Sequence, residues 1–175
     1  FEVFDARKLH LYPRAGFSVI LNCENIEHII DDEKLMNDMA DKLLPGGLLL
    51  LTSPNFFYRA ITKSDNGPFC KQETGWHVRR GYTTSMLTEL CERSGLRVNE
   101  VSFVSGYFSQ KITGLIRLLN PRLGVPLTWL ITIPLRALPL LFDKAIRGLS
   151  EFPDYSICLV AQKPRFALAS SREND

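Results

Sequence analysis

Two continuous apolar runs constrain this chain more than any other feature. Phe17–Cys23 (FSVILNC) and Gly47–Ser53 (GLLLLTS) lack the apolar–polar alternation of a strand with one wet face, and predict strands buried on both faces, the habit of parallel sheets. Between them Asp31 and Asp32 offer an N-cap, and Glu33–Leu44 sets Leu35, Met39, Leu43 and Leu44 at helical spacing before Pro45-Gly46-Gly47 ends the helix. Strand, helix, strand in that order predicts a right-handed βαβ unit, hence an α/β fold.

The chain has 175 residues and 19.9 kDa, the size of one domain. Hydrophobic residues make up 45% and charged ones 23%, which excludes disordered and low-complexity classes for its bulk. Lys and Arg number 21 against 19 Asp and Glu, for a formal charge of +2 and a pI near 8.4. That balance falls short of a dedicated nucleic-acid binder. Cys23, Cys70, Cys91 and Cys158 form no CxxC pair and no disulfide-dense pattern, so a reduced, cytoplasmic setting is expected. The opening FEVFDARKLHLYP has no signal-peptide pattern, and with Phe at position 1 the chain reads as truncated at its start.

From Phe56 to Tyr82 the sequence is polar and irregular, longer than an idle connection in a compact domain, and so reads as an active-site loop. Thr83 or Thr84 caps a helix through Ser94, with Met86, Leu87, Leu90 and Cys91 inside and Gly95 closing it. Arg97–Val104 and Tyr155–Gln162 read as strands, and Phe166–Asp175 as a frayed polar tail. The most apolar region, 112–149, is interrupted by Arg117, Arg122, Arg136 and prolines at 121, 126, 134 and 139. Its longest charge-free stretch, Leu123–Leu135, is shorter than the roughly 20 residues that span a bilayer. A pair of kinked helices covering the core is the plain reading. A cap over a hydrophobic substrate and a peripheral membrane contact through 112–149 are the alternatives.

In order, DARKL, FSVILNCENIEHI, LLPGGLLLLTSPN, HVRRGYT leading into a helix, and RSGLRV resemble the class I S-adenosylmethionine-dependent methyltransferases. The resemblance covers about Val3–Val104, with Tyr155–Lys163 fitting the family's last strand. It implies a Rossmann-like sheet with helices on both faces. Residues 1–165 would be the carboxyl-terminal portion of such a domain, amino-terminally truncated, with an apolar helical insertion (a cap over 108–150) before the last strand and a disordered tail over 166–175. The family's first strand, its glycine-rich turn and the ribose-binding acidic residue have no counterpart here.

The resemblance also assigns roles. Asp5, Ala6 and Leu9 stand where the family holds adenine, by a carboxylate on the amino group, a backbone N–H on a ring nitrogen and an apolar side chain on the ring face. Asn22, Cys23 and Glu24, at the carboxyl end of the first strand, face the methionine part of the cofactor. Glu24, Glu27 and His28 form an ExxEH cluster whose spacing projects all three from one side of a first helical turn. The same spacing occurs in the metal-binding cluster of ubiquinone-pathway O-methyltransferases and small-RNA 2′-O-methyltransferases, with His77 as an extra ligand. Mg²⁺ held by Glu24, Glu27 and His28, a general base or substrate-positioning group at His28 with Glu24 counted as catalytic beside it, and a structural role are the three readings. Asn55, Tyr58, Arg59, His77, Arg79, Arg80 and Tyr82 bracket the long loop and suit an anionic or hydroxylated acceptor. The expected activity is direct methyl transfer from S-adenosylmethionine to an oxygen or nitrogen of a small molecule, one with a hydrophobic portion fitting the apolar region. The rival is a non-catalytic methyltransferase-like binding or scaffold module. Oligomeric state is not legible.

Overall fold

The computed structural model describes residues 1–147 and 151–165; the tail expected at 166–175 lies outside them. Four strands form one mixed sheet in the order β1-β2-β4-β3. Strand β1 (Phe17–Cys23) pairs in parallel with β2 (Leu43–Pro54), aligning Ile20 with Leu49 and Asn22 with Leu51. Strand β4 (Ser156–Gln162) runs antiparallel to both β2 and β3 (Arg97–Val104), between which it is inserted.

Helix α1 (Asp32–Lys42) starts where Asp31 accepts from the Lys34 N–H (3.0 Å), satisfying one donor of its open first turn. It ends earlier than its periodicity predicts. Leu43 and Leu44 belong to β2, with Leu43 pairing Phe17 ahead of a register shift in β1, and Pro45-Gly46-Gly47 lies within the strand's span. Helix α2 (Thr84–Arg93) is capped by Thr83 as expected. The core lies on one sheet face: Leu35, Met36 and Met39 of α1 and Leu87, Leu90 and Cys91 of α2 pack on Leu49, Leu51, Ile157 and Leu159. Met86, expected inside, is exposed, as is Leu44.

The reading of β1 as buried on both faces is corrected. Val19 is 47% and Leu21 67% exposed, because β1 is an edge of the sheet and, among the described residues, only its Asn22 face meets α1.

Helix α3 (Tyr107–Thr132) is broken at Gly124, whose φ of 74° leaves the helical region ahead of Pro126. A turn at Pro134–Arg136, a π-turn at Pro139–Asp143 and the short α4 (Lys144–Arg147) follow at a 55° bend. This excursion closes on itself. Asp143, nearly buried, accepts from the Phe108 N–H (2.7 Å), the Ser109 N–H (3.3 Å) and the Ser109 hydroxyl (2.6 Å), capping the start of α3. The first turns of α3 pack on the long loop, with Arg117 Nη1 3.0 Å from both Asp65 carboxylate oxygens. Its second half does not cover the core as expected: Trp129, Leu130 and Ile131 are exposed, as are Ile133 and Leu140 beyond it.

Candidate active site

The carboxyl ends of β1 and β2 open into a cleft. Glu24 leaves β1 with φ 47°, a left-handed conformation, while its N–H donates to the Thr52 carbonyl (2.9 Å) and hydroxyl (3.2 Å). That turn replaces the expected helix with a single 3-10 turn, Ile26–His28, and separates the ExxEH residues. Glu24 stays at the exposed mouth, where the cleft walls desolvate its carboxyl and raise its pKa. Glu27 turns inward and is fully buried, with the Ser53 hydroxyl donating to Oε2 (3.4 Å) and Oε1 left without a partner. Burial pushes the Glu27 pKa up to about 7, and the neighbouring Glu24 charge adds to the shift.

His28 lies beside it, Nε2 3.7 Å from Glu27 Oε1, with Nδ1 buried and unpartnered. His77 arrives from the long loop, fixed on either side by the Cys70 N–H donating to its carbonyl (2.9 Å) and the Val78 N–H donating to the Glu27 carbonyl (3.0 Å). The two imidazoles meet edge to face, centroids 4.6 Å apart at 89°. Desolvation, with the His28 charge, lowers the His77 pKa, so His77 is neutral at neutral pH. Ligand atoms of Glu27, His28 and His77 lie within 4.8 Å of one another. One carboxylate and two imidazoles do not suit Mg²⁺, which takes an octahedral shell of oxygens. Glu24, the second hard donor expected, is not in the cluster, so the Mg²⁺ reading does not fit this arrangement.

On the His28 side lies a cavity of about 540 Å³, whose walls include Phe4, Asp5, Ala6, Glu24 and Ile29. Asp5 caps the 3-10 turn Ala6–Leu11 by accepting from the Arg7 N–H (3.0 Å), and the Arg7 guanidinium clamps the same carboxylate at 2.6–3.1 Å. That clamp holds the Asp5 pKa at about 2. Three Arg7 N–H donors make these contacts, one of them shared between both oxygens, so at most one of a carboxylate's about four lone-pair sites stays open. Arg7 reaches on to Glu73 (3.4 Å), whose other oxygen accepts from the Ile30 N–H (2.6 Å), tying the long loop to the rim. Leu9 faces a neighbouring hollow instead, leaving Phe4 and Ile29 as the apolar walls. Asn22 points away from the cleft, its amide donating to Met39 Sδ (3.4 Å) in the core, and Cys23 is exposed at the strand end.

On the His77 side a second cavity, of about 570 Å³, is walled by Tyr58, Phe69, Trp76, Arg117 and Tyr155. Of the acceptor residues expected here, Tyr58 and His77 line it, while Asn55, Arg79, Arg80 and Tyr82 build the loop. Arg79 is spent on Asp32, the Tyr82 hydroxyl (2.6 Å) and the carbonyls of Ile29 and Ile30 (2.8 Å each). Arg80 donates to the carbonyls of Phe56 (2.8 Å) and Tyr58 (2.9 Å) and stacks over the Tyr58 ring at 4.4 Å. Tyr82 is buried, its hydroxyl donating to Asp32 (2.7 Å). The Asn55 amide donates to the Asp154 carbonyl (3.1 Å) and its oxygen accepts from the Phe57 N–H (3.2 Å). Gly81 lets these strands of loop cross, since a Cβ there would sit 2.2 Å from the Pro54 carbonyl oxygen. Arg59 faces a third cavity of about 620 Å³, with Lys111, Arg117 and Phe152. Sequence reasoning missed Phe4, Ile29, Trp76, Arg117 and Tyr155 as walls. Arg117 stood out there only as a charge interrupting an apolar region.

No family model matches the chain, and no curated protein sequence does. Solved structures do match. Phosphoethanolamine N-methyltransferase 2 of Haemonchus contortus, in complex with phosphomonomethylethanolamine and S-adenosylhomocysteine, aligns with a TM-score of 0.55 at 17% identity, over 93% of this chain and 36% of its own. The [4+2]-cyclase SpnF aligns at 0.53 and 17% identity, over 94% and 55%. An S-adenosylmethionine-dependent methyltransferase from Mesorhizobium loti aligns at 0.52 and 16% identity, over 92% and 68%. The chain thus spans about half the length of SpnF and a third to two thirds of the other two. A cyclase among the matches means that the architecture alone does not name the reaction. The strand order, with β4 antiparallel between β2 and β3, and these alignments give one conclusion: the chain has the class I S-adenosylmethionine-dependent methyltransferase fold.

Proposed function

We propose that this chain contributes the adenine side and the acceptor side of an S-adenosylmethionine-dependent methyltransferase acting on an oxygen or nitrogen of a small molecule. The observation that carries the reading is the His28–His77 ring pair standing between two cavities, one bearing the Asp5 carboxylate and the other aromatic walls. S-adenosylmethionine, when bound, supplies the electrophilic methyl group. Asp5 offers its remaining acceptor capacity to an exocyclic amino group, and Phe4 and Ile29 pack on the ring it belongs to. The second cavity, with its volume in the range of small-molecule sites, takes the acceptor. His77, neutral because it is desolvated, receives the proton that an acceptor hydroxyl or ammonium must lose. His28 holds the His77 ring in place and forms the wall between the two ligands. Positioning supplies most of the rate, on the order of 7–11 kcal/mol in well-oriented systems.

Calorimetric titration with S-adenosylhomocysteine tests the donor side: the wild type binds, and Asp5→Ala weakens binding by about tenfold, the worth of one charge-assisted hydrogen bond. His77→Ala keeps that binding and lowers turnover by on the order of 10² or more, and chelators leave the rate unchanged. Failure of the wild type to bind S-adenosylhomocysteine would leave the non-catalytic module as the better reading.

A further inference from the structure

We infer that the helical excursion between Tyr107 and Arg147 docks the protein on the surface of an anionic lipid bilayer. Eleven large apolar side chains between Leu118 and Phe142 are exposed, among them Leu130 at 68%, Leu140 at 86% and Leu141 at 66%. So much exposed apolar surface on one segment marks an interaction surface. Its charge pattern selects the occupant. Over Tyr107–Arg147 the chain carries Lys111, Arg117, Arg122, Arg136, Lys144 and Arg147 against one acidic residue, Asp143. Asp143 is nearly buried and spent on capping α3. Arg122, Arg136 and Lys144 have no carboxylate partner among the described residues. Arg122 instead donates to the Leu118 carbonyl (2.7 Å), and the Arg136 guanidinium lies 3.7 Å from the centre of the Trp129 ring. A leaflet of anionic lipids neutralises these cations while its acyl boundary takes the leucines, so one occupant answers both the charge and the apolar side chains. Long basic side chains and a tryptophan suit that boundary, with apolar stems inside and polar tips in the headgroups.

In this inference the excursion lies along the membrane surface, its two helices together long and apolar enough for a span but bent by 55°. Among the described residues no single helix is long and apolar enough to span, and the bent pair 107–132 and 134–147 is broken at Gly124, Pro126 and Ile133–Pro134. Lys111 and Arg117 line the third cavity, which opens between α3 and the loop at Arg59–Thr62, so membrane contact brings that cavity to the headgroup layer.

The inference does not depend on methyl transfer, and its test reads lipid association alone. Purified protein is sedimented with sucrose-loaded vesicles of phosphatidylcholine, with and without 30–40% phosphatidylglycerol (roughly the anionic content that makes such attraction strong). The wild type pellets with the anionic vesicles, much less with the neutral ones, and less as salt rises. The pair Leu130→Ser, Leu140→Ser lowers partitioning by on the order of 100-fold, and Arg122→Gln with Lys144→Gln by on the order of tenfold. Both variants keep the wild-type melting temperature, because none of the four side chains is buried. Wild type that stays in the supernatant at every lipid composition overturns the inference. So does a concentration-dependent dimer, abolished by Leu130→Ser and Leu140→Ser, with no lipid binding, since a second copy would then be the occupant.

Discussion

Glu27 is the residue at which burial and charge conflict most. Its carboxyl has no exposure, one long hydrogen bond and an unpartnered oxygen. The folded state therefore holds a proton up to about pH 7 that the unfolded chain releases near 4.5. Between those values the folded state binds more protons, so stability falls as pH rises through the window and the full penalty is present above it. Glu27→Gln removes the titration. In urea unfolding its advantage over wild type should grow from near zero at pH 4 to on the order of 3 kcal/mol at pH 8. Parallel stability curves for the two proteins would sink this account. At the same scale the sequence placed ExxEH at the right strand end but misjudged its geometry. The spacing argument assumed a helical turn, and Glu24 at φ 47° sends Glu27 inward and His28 towards His77 instead. No periodicity signals a left-handed residue that is not glycine.

Among the elements, those fixed by local pattern were the legible ones. FSVILNC is β1, RVNEVSFV is β3, and Thr83 caps α2. The start of β2 was missed because Leu43 pairs with Phe17 of β1, a partner distant in sequence, ahead of the Pro-Gly-Gly that local preference reads as a turn. The arginines of HVRRGY read as substrate ligands because their partners, Asp32 and the carbonyls of residues 29, 30, 56 and 58, are distant in sequence. The excursion shows the same dependence, since one carboxylate 35 residues away closes it. Asp143→Ala should cost about 1–2 kcal/mol, the usual worth of an N-cap, and speed tryptic cutting at Arg122 and Arg136, with Asp143→Asn between the two. Identical cleavage kinetics for all three proteins would show that the cap does not hold the excursion closed.

At the scale of the molecule the sheet is ordered differently from the chain: β4, the last of the four strands to occur, lies between β2 and β3 and buries Ile157, Leu159 and Ala161. Leu159→Ala should therefore cost about 2–5 kcal/mol and destabilise β2 and β3 together. Hydrogen exchange read strand by strand would detect this as joint loss of protection, and protection lost from β4 alone would contradict it. The same placement governs the order of events during synthesis. Roughly fifty residues separate the end of β3 from the start of β4, which a ribosome adds in about 3–10 s. Throughout that interval the nascent chain holds an open slot between two unfinished halves while its most apolar segment emerges. Until β4 arrives, the edges of β2 and β3 that it fills stay without the backbone partners of the finished sheet.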